Sequence, residues 1–446
     1  MIVSEAFAGK NYAVLGLARS GMAVVETLLA SGARVMAWDN REEPRQAVAG
    51  RVELADPATA DLGGIDAVVV SPGVPVNRHP IADAARAAGV ALIGDIELFA
   101  LARPTLPPHR VVAITGTNGK STTVSLVHHL LKNAALPVRI GGNIGLPILG
   151  QDPLRAGGVY VLELSSYQID LMFSLDCEVA ALLNVTPDHL DRYDGFAAYM
   201  HAKERLFEMQ SSGHVAIFGI GDAETREIAD RHQPRLAAGH VRQVDGADIV
   251  GFQRDWPSLQ GPHNLQNAAV AVAIAEALGL SQRQWQAALP TFRGLAHRME
   301  RVAEAGGVLF INDSKATNPA SAAPALAAFP PNPERRIHWI LGGLPKGDDL
   351  DECVAHFGNV AAAYVIGEAG PRFAEILAPH MPVRRSEMLA EAIREAMAAA
   401  QPGQVVMMAP ACASFDQFRD YEARGDAFRQ IVEALIEPRD AAGETG

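Results

Sequence analysis

Short apolar runs alternate with longer amphipathic stretches along nearly the whole 446-residue chain. An apolar run of strand length followed by a 3.6-period stretch marks a βα unit, and a succession of them predicts mostly parallel sheets flanked by helices. The first unit reads as strand YAVLG (12–16), a turn, a helix to about Ala30, and strand RVMAWD closing at Asp39. DAVVVSPG (66–73) reads as a further strand, and the Pro-rich ARPTLPPHR (102–110) as a linker. A second block opens on strand RVVAIT and continues with VYVLEL, EVAALLNV and a helix from Phe196. TFRGLAHRME (291–300) breaks the rhythm, after which GVLFIND, RIHWILGG, AAYVIG and QVVMMAP supply a third set of strands. The expectation is an α/β protein of three domains, spanning 1–108, 109–296 and 297–446.

Composition narrows the function class. Acidic residues outnumber basic ones 51 to 38, a formal net charge of −13, which argues against a non-specific nucleic-acid binder. A small anionic substrate stays compatible, because a local basic cluster outweighs the global sign. Cys177, Cys353 and Cys412 are far apart and odd in number, so a reducing compartment is expected rather than a disulfide framework. The N-terminal MIVSEAFAGK has no basic start followed by an apolar run, and no apolar stretch approaches a membrane span. A cytoplasmic protein without a nucleic-acid or membrane partner is expected.

Two glycine-containing loops carry candidate chemistry. GLARSG (16–21) is close to the dinucleotide fingerprint, with Ala18 in place of the middle glycine and Asp39 where a ribose-binding acid would stand. ITGTNGKST (114–122) follows a strand and opens a helix near Ser121, as a phosphate loop does, but lacks the first glycine of the usual spacing. Amides at that helix start favour an anion, Lys120 adds a full charge, and Ser121 is a possible magnesium ligand. The plain alternative is a capped helix start with a surface lysine. Glu163 ends the strand VYVLEL, and NVTPDHLDRY supplies Asp188, His189 and Asp191 after the next strand. Phosphate donors, a carboxylate and an imidazole at neighbouring strand ends favour a magnesium–nucleotide crevice.

Lys203 is anomalous. It falls on one helical face with Phe196, Tyr199, Met200, Leu206 and Phe207. Either its stem is buried with the ammonium in water, or its charge state is altered, and periodicity leaves both open.

AITGTNGKSTT, GGNIG (141–145), LELSSYQ (162–168), NVTPDHLDRY, HAKERLF, GPHNLQNAAVA (261–271), HRME, INDSKATNPAS and APACASFDQF together resemble the muramyl ligase family, in order along nearly the whole chain. The compact phosphate loop is shared by these amide-forming ligases and by folylpolyglutamate synthase, while DSKATN and ACASFDQF point to the D-glutamate-adding branch. The resemblance implies a Rossmann-like N-terminal domain, a central P-loop-type ATPase domain with a mostly parallel sheet, and a Rossmann-like C-terminal domain. It implies an ATP-dependent, magnesium-using monomer, with two ions, that joins D-glutamate to UDP-N-acetylmuramoyl-L-alanine.

The same resemblance distributes roles. Arg19, Ser20, Asn40, Arg41, Ser71, Asn143 and His189 would hold the UDP-substrate. Gly116, Thr117, Asn118, Gly119, Lys120, Ser121 and Thr122 would cradle ATP phosphates, and Asn264, Asn267, Arg298 and Asp313 would contact the nucleotide. Ser121, Glu163, His189 and a carbamylated Lys203 would hold metal; Lys120, Glu163, His189 and Lys203 form the catalytic set. Lys315, Thr317, Lys346, Ser414 and Tyr421 would receive D-glutamate. Two positions depart from the family pattern: Pro345 stands where an Asp is common, and Tyr421 where Phe is frequent. Both lie by the implied amino-acid pocket, so L-glutamate remains an alternative acceptor. Folylpolyglutamate synthesis, an NAD-dependent oxidoreductase resting on GLARSG, and a non-catalytic ATP-binding protein are the rival readings.

Overall fold

The computed structural model describes all residues except 189–191, 236, 238, 346, 348 and 437–446. The apolar runs become strands whose side chains are buried on both faces, as a parallel sheet covered by helices requires. GVYVLE and IHWILG are buried at every position.

The first sheet contains β1 (Asn11–Leu15), β2 (Arg34–Trp38), β3 (Glu53–Leu54), β4 (Ala67–Val70) and β5 (Ala91–Ile93), in the order 3-2-1-4-5 and wholly parallel. The second contains β6 (His109–Thr115), β7 (Val138–Gly142), β8 (Gly158–Glu163), β9 (Val179–Leu182), β10 (Val215–Gly219) and β11 (Val241–Val244), ordered 11-10-9-6-8-7 and also parallel. The third has β12 (Glu300–Ala305), β13 (Val308–Asn312), β14 (Ile337–Gly342), β15 (Val360–Ile366), β16 (Val383–Glu387) and β17 (Val405–Met408). Its order is 12-13-17-14-15-16, with β12 antiparallel to β13 and the remaining pairs parallel. In each sheet the strand order reverses beside a loop singled out in the sequence: after β1, after β6, and after β13. Ligands of open α/β sheets bind at such reversals.

The chain forms two compact units, 1–250 with 266–289, and 251–265 with 290–446. Within the first unit one apolar cluster runs through both sheets, from Tyr12 and Val14 to Leu162 and Phe218. Backbone bonds from Ile2 to Leu149 and from Gly94 to Leu171 join the two sheets' surroundings, and Glu97 accepts from Phe173 N, Ser174 N and Ser174 Oγ. The Pro-rich stretch is braced in the same way. Arg103 reaches Asp176 O and both oxygens of Glu178, whose Oε2 also caps Val111 N at 2.6 Å.

Among the described residues no helix is long and apolar enough to cross a membrane.

Candidate active site

The loop after β6 sits where the second sheet reverses, between β8 and β9. Its helix, Lys120–Asn133, is N-capped by Gly119 in the left-handed region (φ 83°), without any side-chain cap. Elsewhere Ser165 and Asp222 side chains accept first-turn N–H groups. Here the cap has no side chain to do so, which leaves that helix end suited to an outside anion. A Cβ on Gly119 would overlap the Asn267 side-chain amide, so glycine is needed for shape as well as for conformation. The same contact sets Asn267 against the loop.

The loop is held from behind by residues the sequence did not single out. Asn184 accepts Asn118 N at Oδ1 (2.8 Å), donates to Asn118 O (3.1 Å), and its carbonyl accepts Thr117 N (3.0 Å). Thr117 Oγ1 accepts Thr186 N at 3.0 Å and lies 3.1 Å from the Tyr199 hydroxyl. The available signal was NVT at a strand end, where an Asn side chain competes for loop backbone. Lys120 Nζ folds back onto the carbonyls of Gly116 and Thr117, each at 2.8 Å.

Lys203 meets the same carbonyl. Its helix, Phe196–Glu208, forms as predicted and buries Tyr199, Leu206 and Phe207. Lys203 is itself 1% exposed, and its Nζ donates to Gly116 O at 3.0 Å while lying 4.6 Å from the Tyr199 ring centre. The ammonium therefore does not reach water, and the snorkelling alternative fails. Burial, reinforced by the Lys120 charge, pushes its pKa well below the ordinary lysine value.

Glu163, at the end of β8, is 3% exposed. Its Oε1 accepts Asn143 Nδ2 at 3.1 Å, and its buried Oε2 has no hydrogen-bond partner among the described residues. Gly142 (φ 87°) permits this approach: a Cβ there would overlap the Glu163 backbone, whose carbonyl accepts Asn143 N at 2.8 Å. Ser121, on the first turn of the loop's helix, is also buried. An orphaned carboxylate oxygen and a serine hydroxyl are hard oxygen donors of the kind magnesium takes. The described residues gather no group of three His, Cys, Asp or Glu side chains. Magnesium would thus draw further ligands from water and nucleotide phosphates, as it commonly does. The residues present fit that ion. His189 lies outside the described residues.

In the first sheet Asp39 is already occupied. Its carboxylate accepts Leu17 N at 2.8 Å and is clasped by Arg41 Nε and Nη2 at 3.1 and 3.2 Å. The Arg41 guanidinium holds its pKa down to about 2. A carboxylate spent on its own loop and a neighbouring arginine is poorly placed to bind a ribose diol. Ser71 Oγ donates to Gly16 O at 2.8 Å, tying the loops after β4 and β1 together beside Ser20. Arg19 Nη2 reaches Gly145 O, two residues beyond Asn143, while Asn40 is exposed at the end of β2.

The third sheet brings the C-terminal candidates to adjacent loops. Arg298 lies between two residues of positive φ, His297 (61°) and Met299 (46°). Met299 N donates to Asp313 Oδ1 at 3.1 Å, and Lys315 N to His297 O at 3.0 Å, so this turn is tied to the loop after β13. Burial raises the Asp313 carboxyl to about 7, and Arg298 offsets part of the effect. Lys315 Nζ stands 4.0 Å from the Tyr421 ring centre, a contact a phenylalanine would also make. Thr317 closes the Lys315 turn through its N–H, and Ser414 is buried after β17. Asn264 donates to Gln260 O at 3.1 Å. Lys346 lies outside the described residues.

Three domain families match the chain: the Mur ligase MurD-like N-terminal domain over residues 10–94, the Mur ligase middle domain over 114–243, and the Mur ligase glutamate ligase domain over 297–412. A protein of Novosphingobium aromaticivorans named UDP-N-acetylmuramoylalanine–D-glutamate ligase is 69% identical, with 99% of this chain and 98% of that one covered. One of the same name from Sphingopyxis alaskensis is 58% identical over 98% of this chain and all of its own. Among solved structures, UDP-N-acetylmuramate–alanine ligase from Thermotoga maritima shares the fold, with a TM-score of 0.56 at 16% identity, covering 96% of this chain and 99% of that one. Relatives this similar, matched along nearly the full length and joined by domain families that between them cover all three sheets, establish that the chain belongs to the Mur ligase family.

Proposed function

We propose that this chain is the ATP-dependent amide ligase that joins D-glutamate to UDP-N-acetylmuramoyl-L-alanine in the cytoplasmic assembly of peptidoglycan precursors, acting as a monomer through an acyl-phosphate intermediate. The family is ATP-dependent and generally uses magnesium. The observation that carries the reading is the convergence of Lys120 and Lys203 on one carbonyl of a phosphate loop, beside the carboxyl end of β8, where buried Glu163 has an oxygen without a hydrogen-bond partner among the described residues. An oxidoreductase reading explains none of these groups.

The proposed domains span 1–108 for the UDP-sugar, 109–296 for ATP and 297–446 for the amino acid. The Gly116–Thr122 loop would cradle the triphosphate, with Asn264, Asn267, Arg298 and Asp313 as further nucleotide contacts. Arg19, Ser20, Asn40, Arg41, Ser71, Asn143 and His189 would take the UDP-substrate, and Lys315, Thr317, Lys346, Ser414 and Tyr421 D-glutamate. Ser121, Glu163, His189 and carbamylated Lys203 would hold two magnesium ions. Bound magnesium supplies positive charge that offsets the repulsion between phosphates and carboxylate.

In the first step the L-alanyl carboxylate attacks the γ-phosphorus and ADP leaves. Lys120 leaves its two loop carbonyls to neutralise the phosphates, so its present bonds represent a resting position. In the second step the neutral amine of D-glutamate adds to the acyl carbon and inorganic phosphate departs from the tetrahedral intermediate. Orientation of the amine by the loops of the third sheet is the protein's main contribution there. Carbamylation resolves the burial of Lys203. The neutral amine takes up CO₂ with loss of one proton, giving an anion that Lys120 and metal stabilise.

Phosphate release measured with ATP, magnesium and UDP-N-acetylmuramoyl-L-alanine, comparing D-glutamate, L-glutamate and meso-diaminopimelate, tests the assignment. Release is expected with D-glutamate alone. Release with L-glutamate would overturn the stereochemical assignment, and none with any acceptor would overturn the ligase reading.

A further inference from the structure

Arg424 lies in the first turn of the helix Tyr421–Ile436 and is 1% exposed. A guanidinium removed from water ordinarily has a carboxylate beside it, because its desolvation is costly. No carboxylate among the described residues contacts this one. Its four hydrogen bonds all go to neutral oxygens. Nε donates to Ser314 Oγ at 3.0 Å, Nη2 to Ser314 O and Cys412 O at 3.0 Å each, and Nη1 to Ala413 O at 3.2 Å. Ser314 Oγ passes the connection on by donating to Tyr421 O at 2.8 Å.

These partners belong to the loops that hold the proposed amino-acid ligands. Ser314 precedes Lys315 in the loop after β13, and Ala413 precedes Ser414 in the loop after β17. Tyr421 opens the helix that carries Arg424 itself. The loop after β14 joins them. Leu344 and Ala413 exchange backbone bonds of 2.9 and 3.0 Å, and a Cβ on Gly343 would stand 3.1 Å from Arg424 Nη1. One planar fork thus ties two strand-end loops to the helix that carries it, with the loop after β14 joined through Ala413, a geometry an ammonium on a flexible stem does not reproduce.

The charge matters as well as the shape. Burial lowers the Arg424 pKa only to about 10, so the group stays cationic at neutral pH. Asp416 acts on it through space, with its Oδ2 engaged by Glu368 N at 3.1 Å. A cation surrounded by carbonyl dipoles rather than a counter-ion keeps much of its field for a ligand entering the same low-dielectric region. An acceptor amino acid with two carboxylates is the ligand that gains most from such a field.

We propose that Arg424 is a positioning residue of the acceptor site: its unpaired guanidinium clamps the loops bearing Lys315 and Ser414 and favours a dicarboxylate amino acid over a neutral one. This rests on the D-glutamate reading given above.

Arg424→Lys and Arg424→Met in the full chain test it by steady-state phosphate release, with thermal melting as the control for folding. The KM for D-glutamate should rise about tenfold or more in both, the scale of losing a charge-assisted hydrogen bond, and further in the Met variant. The KM for the UDP-substrate should stay unchanged, and that for ATP, whose proposed contact Asp313 precedes Ser314, should rise less than that for D-glutamate. Parallel rises in all three KM values would make Arg424 a general structural support and overturn the proposal. So would an unchanged D-glutamate KM in folded Arg424→Lys, which decides the matter alone if the Met variant fails to fold. Wild-type protein without D-glutamate-dependent release would instead overturn the ligase reading itself.

Discussion

Single residues in this chain are distinguished by the cost of their burial. Lys203 occupies an apolar helix face where a charged ammonium is penalised, and its one hydrogen-bond acceptor among the described residues is a carbonyl that Lys120 also uses. Lys203→Ala should therefore lower ligation by about 10- to 100-fold, the scale seen when a metal-supporting group is lost. Acetate or formate, filling the space of the lost carbamate, should restore part of the rate. Full activity of the variant without added carboxylate would sink the carbamate. Asp95 shows the same principle away from the chemistry. It is 4% exposed at the start of the helix Asp95–Ala102, and burial lifts its carboxyl from 3.8 to about 6. Because the folded pKa lies above the unfolded one, its contribution is fully present below about pH 4 and is lost as pH rises through about 6, a swing of about 3 kcal/mol. Asn at 95 still offers an oxygen to Ile96 N but does not titrate. The melting temperature of Asp95→Asn relative to wild type should accordingly climb between about pH 4 and about pH 7. A constant difference across that range would mean Asp95 ionises normally.

At the scale of elements, the strand-to-helix turn after β6 explains why the phosphate loop tolerates a missing first glycine. Its curvature is set by Gly116 and Gly119, both at positive φ, and by Asn184 and Thr186 behind it. Gly119→Ala would place a methyl into Asn267 and hold a non-glycine residue in the left-handed region, at a cost of about 1 to 2 kcal/mol from backbone strain alone. ATP binding, measured by calorimetric titration, should weaken together with the melting temperature. Adding Asn267→Ala should recover the part of the melting temperature lost to the clash, though not the part lost to backbone strain, without recovering affinity; no recovery of melting temperature would mean the two side chains do not compete for that space. The strongest elements were legible in the sequence because Val- and Ile-rich runs such as RVVAIT and QVVMMAP have no stable place except a sheet interior. The edge strands β3, β5, β7, β11, β12 and β16 and the interior strand β10 (VAIFG) were not. ERVAEA and VRRSE are rich in charge and present exposed positions, the composition by which edges avoid pairing with other chains. EVAALLNV reads as one long strand, yet β9 stops at Leu182 because the next residues turn to brace the phosphate loop. In the candidate site, Lys203 announced itself by periodicity. Arg424 did not and went unread, although its four-residue spacing to Phe428 and Val432, both fully buried, was the available signal.

For the whole molecule, the division of apolar contacts counts for more than the number of sheets. The first two sheets share one apolar cluster, and the buried Glu97 carboxylate joins them by accepting from Phe173 N (2.7 Å), Ser174 N (3.0 Å) and Ser174 Oγ (2.7 Å). The third sheet has apolar clusters of its own on its two faces, one built around Trp339 and Leu341, the other around Phe310 and Phe428. Cooperative unfolding follows shared burial, because elements that bury each other's apolar surface lose it together. Scanning calorimetry should resolve two transitions, one for the unit holding the first two sheets and one for the unit holding the third. Glu97→Ala removes the acceptor for two backbone N–H groups in partly buried surroundings and should cost about 2 to 4 kcal/mol. That loss should lower one transition while leaving it single. The other transition, identified as the one displaced by Arg424→Lys, should not move. Splitting of the Glu97→Ala transition into two would show that the first two sheets fold independently despite their common core. A shift of both transitions together would show that the two units do not unfold separately, and either result would replace the two-unit account of this chain's stability.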